Sequence, residues 1–140
     1  MAIEHIPGAF MKPVDLIHAS KITIPPACGV GRPHLVARVE QATHGRLTVL
    51  SAPAGWGKSN LLAEWAATTD MNVAWASLDE GDNNPARYFR ALIAALDQVY
   101  PLQLDDVFAL LRSPTPEIDE SIDAVLMARL AQLPESTAIV

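Results

Sequence analysis

The chain has 140 residues, half of them apolar, and 10 Lys and Arg against 16 Asp and Glu give it a net charge of −6. That length suffices for one domain with a sizeable core, and basic residues this few and scattered supply no nucleic-acid face. A single cysteine, Cys28, excludes an internal disulfide framework and suits a reducing, cytoplasmic compartment.

Residues 1–31 are expected to be irregular, because Pro7, Pro13, Pro25, Pro26, Gly29 and Gly31 interrupt any long element. Glu4 and His5 stand where a secretory signal would carry Lys or Arg. No apolar run anywhere approaches the roughly 20 residues of a membrane-spanning helix. Arg32-Pro33 opens a short helix over residues 33–41, with Leu35, Val36 and Val39 on one side, and His44-Gly45 closes it. Residues 46–51 are predicted as a first strand, buried and parallel, around the apolar run Leu47-Thr48-Val49-Leu50. A helix over residues 58–68 carries Leu61, Leu62, Trp65 and Ala66 at helical spacing, and a second strand spans residues 72–78. Asn84 caps the next helix and Pro85 starts it, with Tyr88, Phe89, Leu92, Ile93, Leu96 and Val99 as its apolar stripe up to Pro101. A short helix over residues 104–111 precedes the Ser113-Pro114-Thr115-Pro116 break. The helix over residues 117–133 turns Ile118, Ile122, Val125, Leu126, Leu130 and Leu133 inward, and a third strand begins at Thr137. His5, His18, His34 and His44 have no metal-ligand spacing among themselves or with Cys28 and are read as surface or packing residues.

Between the first strand and its helix lies Ala52-Pro53-Ala54-Gly55-Trp56-Gly57-Lys58-Ser59. It fits the phosphate-binding P-loop: a small residue, four unconstrained positions, then Gly-Lys-Ser/Thr. A small residue opens the loop where the backbone turns sharply off the strand. Gly57 allows the main chain to come close to phosphate, since a Cβ would hold it away. Successive backbone N–H groups then point inward at the start of a helix, an anion site in themselves. Lys58 supplies a point charge for the β- and γ-phosphates and the Ser59 hydroxyl a ligand for Mg²⁺. Asn60 follows in the first helical turn. A flanking apolar run before and helical periodicity after are what distinguish such a loop from a surface turn.

Strands alternating with helices predict an α/β fold, a parallel sheet flanked by helices, of the P-loop NTPase type. Ligands of such sheets sit beyond the carboxyl ends of the strands, where the loop falls. The Mg²⁺-holding aspartate of such enzymes ends a further apolar strand. That Walker B acid is expected just beyond Val140, so residues 32–140 read as the N-terminal part of a nucleotide-binding domain.

The loop, with Leu61, Glu64 and Trp65, resembles the Walker A region of the MalT-like transcriptional activators, relatives of the apoptotic and plant-resistance ATPases. The block Val73-Ala74-Trp75-Ala76-Ser77-Leu78-Asp79-Glu80-Gly81-Asp82-Asn83-Asn84-Pro85 is similar to theirs as well, and continues into Tyr88-Phe89 and Leu92-Ile93-Ala94-Ala95-Leu96. Arg32-Pro33-His34-Leu35 resembles the short motif that helps frame the adenine in that family, which makes Arg32 a candidate nucleotide contact. The resemblance covers about residues 20–140, and departs at Ser59, where many relatives have Thr. It implies ATP and Mg²⁺ as cofactors, a slow ATPase acting as a switch, self-association of the intact protein, and DNA contact only through a C-terminal LuxR-type domain outside this chain. Residues 1–140 alone are expected to turn over ATP negligibly.

The acids after the second strand admit two roles. Asp79 or Glu80 could assist Mg²⁺ or the attacking water, or the cluster with Asp82 could cap the following helix, where acids are favoured. The sequence favours capping. Trp56 could stack on the nucleotide or cover the loop, whereas Trp65 and Trp75 are read as core. Two rival functions stay open: a P-loop phosphotransferase acting on a small substrate, and a module that holds nucleotide without turnover.

Overall fold

In the computed structural model, which describes residues 17–100, Val107, Leu111, 120–133 and 136–140, the order of elements is α1 (Ala19–Ile22), α2 (Pro33–Ala42), α3 (Lys58–Ala66), β1 (Asn72–Ala74), a 3-10 turn (Glu80–Asn83), α4 (Pro85–Val99), α5 (Glu120–Leu130) and β2 (Thr137–Ile139). The helix starts are set by local chemistry. Pro33 and Pro85 occupy the first helical positions of α2 and α4, where the missing N–H has no helical partner to lose. The Asn84 side chain accepts from the Arg87 N–H and so satisfies one orphan donor of α4.

The two strands are parallel, with Asn72 opposite Thr137, Val73 opposite Ala138 and Ala74 opposite Ile139. Their pairing runs past the strand ends, because Val140 N–H donates to Ala74 O at 2.9 Å and Ala76 N–H to Val140 O at 2.6 Å. Successive side chains of a strand leave opposite faces, and here the two faces meet different helices. Val73, Ala138 and Val140 pack with Val39, Leu61 and Trp65 of α2 and α3. Ala74 packs with Ile22, Ile93, Ala94 and Leu96, and with Val107, Leu111 and Leu126, in the larger core that α4 dominates. The chain is thus α/β, a small parallel sheet flanked by helices on both faces. Ile93 and Leu96 are wholly buried, and full burial of such a side chain is worth about 1.5–3 kcal/mol.

Several expectations change. Residues 46–51 are not a strand: residues 47–51 have no regular structure, and Leu47 and Val49 are 83% and 77% exposed rather than buried. A strand is defined and buried by its neighbours, and no described strand pairs with this segment. The Thr48 hydroxyl bonds Ala42 O instead. Within 17–31, expected to be irregular, α1 makes one helical turn that seats Ile22 in the larger core. In α5, Leu126 is buried as expected, but Val125 is 37% exposed. Residues 1–16 and most of the helices expected at 104–111 and at the start of 117–133 lie outside the described residues, although Val107 and Leu111 are helical and buried. Among the described residues no helix is long and apolar enough to cross a membrane.

Candidate phosphate-binding loop

The turn into α3 is made by glycines in the left-handed region, Gly55 at φ +81° and Gly57 at φ +71°, where a Cβ would crowd the backbone. Gly57 is the residue that caps α3. Its carbonyl accepts the first helical bond, from Leu61 N–H at 2.9 Å. The N–H groups of Lys58, Ser59 and Asn60 therefore have no acceptor inside the helix. They form, with the helix dipole, a donor cluster suited to an anion.

Two cations hold the carbonyls of the loop. The Lys58 ammonium donates to Ala52 O at 2.7 Å and Pro53 O at 3.0 Å. The Arg32 guanidinium donates to Gly57 O at 2.8 Å through Nη2 and to Trp56 O at 3.3 Å through Nη1. The structure thus brings Ala52, Pro53, Trp56, Gly57, Lys58 and Arg32 into one connected arrangement. Ala54 and Gly55 are exposed between them. The Trp56 ring is 70% exposed at the tip and covers little of the loop. Ser59 is exposed on the first turn of α3, where its hydroxyl can give one oxygen to Mg²⁺. That ion needs about six ligands and commonly draws most of them from phosphate and water, so one hydroxyl would be a sufficient contribution from the chain were a phosphate held here. The Asn60 Oδ1 accepts the Cys28 N–H.

Asp79 and Glu80 stand apart from this arrangement, with no hydrogen bond or ion pair to the loop among the described residues. Asp79 caps the 3-10 turn: its side chain accepts from Gly81 N–H at 2.8 Å, while Asp82 Oδ2 accepts from Asp79 N–H at 2.8 Å. Lys21 of α1 pairs with both, 2.9 Å from Asp79, and Asp82 is the one buried charged residue among those described. Hydrogen bonding from Lys21 first, and from Gly81 N–H next, holds the Asp79 carboxyl below its ordinary value. Lys21, then Asp79 N–H, do the same for Asp82, and the two acids push Lys21 up. This is the geometry of a cap, made on the 3-10 turn and not on α4, whose cap is Asn84. Trp65 and Trp75 are core, 1% and 5% exposed, with their indole N–H groups donated to Glu40 and Ser77.

Sequence reasoning did not find Lys21 or the contact of Glu64 with Arg32. The Glu64 carboxylate accepts from Arg32 N–H at 2.9 Å, at the start of α2. The only sequence signal was Gly31, where a Cβ would lie 3.2 Å from Glu64 Oε1.

The fold and loop thus define an α/β protein with a glycine turn ahead of a helix whose first N–H groups have no acceptor within it. No family model matches the sequence, and no solved structure matches it. Among curated proteins, the HTH-type transcriptional regulator MalT of Cronobacter sakazakii is 40% identical over 93 residues, which is 66% of this chain and 9% of that regulator. The chain therefore spans about a tenth of the length of the relative it matches.

Proposed function

We propose that this chain carries the nucleotide-binding loop of a MalT-like transcriptional regulator, with residues 52–60 taking the phosphates of ATP and Ser59 one coordination position of Mg²⁺. The observation that carries the reading is the turn at Gly57, which opens α3 with three N–H groups unpaired inside the helix and places Lys58 beside them. The similarity to MalT supports the regulator class, and the P-loop NTPase fold is the one this loop serves. On this reading ATP is the ligand of a molecular switch in a cytoplasmic protein. Its triphosphate end favours one of two conformations through contacts that differ between them. Self-association and DNA contact belong to the intact regulator, the latter through another domain. Asp79 is engaged in the cap of the 3-10 turn, so on this reading it is not the acid that assists ATP hydrolysis.

Calorimetric titration of ATP with Mg²⁺ tests the reading. Lys58→Ala removes a charge-assisted contact worth about 1.5–3 kcal/mol, a loss of roughly tenfold to a hundredfold in affinity. Equal binding by the wild type and Lys58→Ala would remove the phosphate loop from consideration.

A further inference from the structure

The geometry points to Arg32 as a positioning residue of the phosphate loop: a brace that fixes the Gly57 turn from behind rather than a frame for the adenine. The inference rests on the phosphate-site reading above. Arg32 donates to two successive carbonyls, Trp56 O and Gly57 O, on the rim of the turn. Each backbone carbonyl turned toward the guanidinium fixes the peptide plane that also carries the next N–H. For Trp56 O and Gly57 O these are the N–H groups of Gly57 and Lys58, the donors an anion would meet. The planar fork of an arginine suits this double contact, where a lysine could satisfy one carbonyl with comparable geometry.

Arg32 is itself held in place. Its main chain caps α2, and its own N–H is bound by both Glu64 oxygens, at 2.9 and 3.2 Å. Glu64 belongs to α3, the helix whose start Arg32 braces. The clasp is reciprocal: a side chain from α3 fixes the start of α2, and a side chain from the start of α2 fixes the start of α3. Gly31 leaves room for the carboxylate, and Gly57 leaves room for the guanidinium, whose Nη2 would lie 3.2 Å from a Cβ there. Both glycines of the clasp are spaces filled by the partner's charged group. Asn60 adds a third tie by accepting the Cys28 N–H.

A brace and an adenine contact differ in which ligands feel their loss. Inorganic tripolyphosphate and ATP, each with Mg²⁺, are titrated calorimetrically into the wild type, Arg32→Ala, Arg32→Lys and Glu64→Ala, with a melting curve for each. Arg32→Ala is expected to weaken both ligands by the same factor, roughly tenfold, for the loss of hydrogen bonds from a charged group. Arg32→Lys is expected to recover part of that loss, and Glu64→Ala to weaken both ligands a few-fold with intact folding. A loss confined to ATP, with tripolyphosphate unaffected, would assign Arg32 to the adenine and overturn the brace. So would full affinity for both ligands in Arg32→Ala, or a lower melting temperature with unchanged affinity. If Arg32→Ala does not fold, Arg32→Lys and Glu64→Ala carry the same comparison, and unchanged affinities in both overturn the inference. Failure of the wild type to bind either ligand, or indifference to Lys58→Ala, fails the phosphate-site reading itself and the brace with it. Lys58→Ala losing affinity while the Arg32 variants keep it fails the brace alone.

Discussion

Gly57→Ala adds one methyl group at the most constrained point of the loop, and the structure divides its cost into two parts. The first is the backbone. At φ +71° an L-residue pays about 1–2 kcal/mol for the left-handed conformation. The second is space. An ideal Cβ lies 3.2 Å from Arg32 Nη2 and 3.4 Å from Nη1, so the guanidinium must retreat by a few tenths of an ångström. That retreat stretches its bonds to Gly57 O and Trp56 O, at a cost of up to about 1 kcal/mol. The sum is about 1–3 kcal/mol, which for a chain of this size lowers Tm by roughly 3–10 °C. Melting followed by far-ultraviolet circular dichroism reads this directly. On an Arg32→Ala background the space term vanishes, and adding Gly57→Ala should cost only the backbone share. ATP affinity should fall more than tenfold in the single variant, because the turn that aims the N–H groups has moved. A Gly57→Ala protein that melts within a degree of wild type and binds ATP equally well would refute the left-handed turn and the site built on it.

Gly55 supplies the contrast: its φ is +81° but nothing lies within 4 Å of an added Cβ, so Gly55→Ala should cost the backbone share alone and melt above Gly57→Ala. Trp65→Ala should destabilise by about 3–5 kcal/mol in chemical denaturation, since the ring is 1% exposed between α2 and α3 and its loss also strands the Glu40 carboxylate. The cluster of Lys21, Asp79 and Asp82 should show in the pH dependence of melting. Both acids titrate below their ordinary value of 3.8, so their stabilisation is complete above that value and is lost as the pH falls through the lowered ones. The raised Lys21 gives the mirror case, with its share complete below 10.5 and lost as the pH rises beyond it. Lys21→Met should therefore flatten the loss of Tm as the pH falls below 3.8, and equal acid limbs in the two proteins would show the cluster to be thermally silent.

What the sequence disclosed was local. Pro33, Asn84 and Pro85 mark helix starts by their own chemistry, and α2 and α4 begin where those residues place them. The glycine pattern of the loop announced a turn that the backbone makes at Gly55 and Gly57. Residues 46–51 went the other way, because an apolar β-branched run becomes a buried strand only if another strand pairs with it. That is a property of distant sequence. The acids at 79, 80 and 82 could be weighed as cap or catalyst, but their partner Lys21 lies 61 positions from Asp82 and leaves no local trace. Arg32 was read from the sequence as a nucleotide contact, and its contact with two loop carbonyls depends on how α2 packs on α3.

The separation between Lys21 and Asp82 also bears on the order in which the molecule assembles. Closing a loop of 61 residues rather than the 32 that separate Arg32 from Glu64 is about one doubling of length, or about 0.6 kcal/mol of additional chain entropy. Helix α1 brings only four residues and one buried side chain, Ile22, to offset that entropy. Its hold on the rest is the Lys21 ion pairs and the bond from Ser77 N–H to Lys21 O at 2.7 Å. The α1 turn is thus expected to open ahead of the sheet. Amide exchange at Ser77 should accordingly run ahead of exchange at Ala76 one residue earlier, whose N–H is held by Val140 O within the sheet.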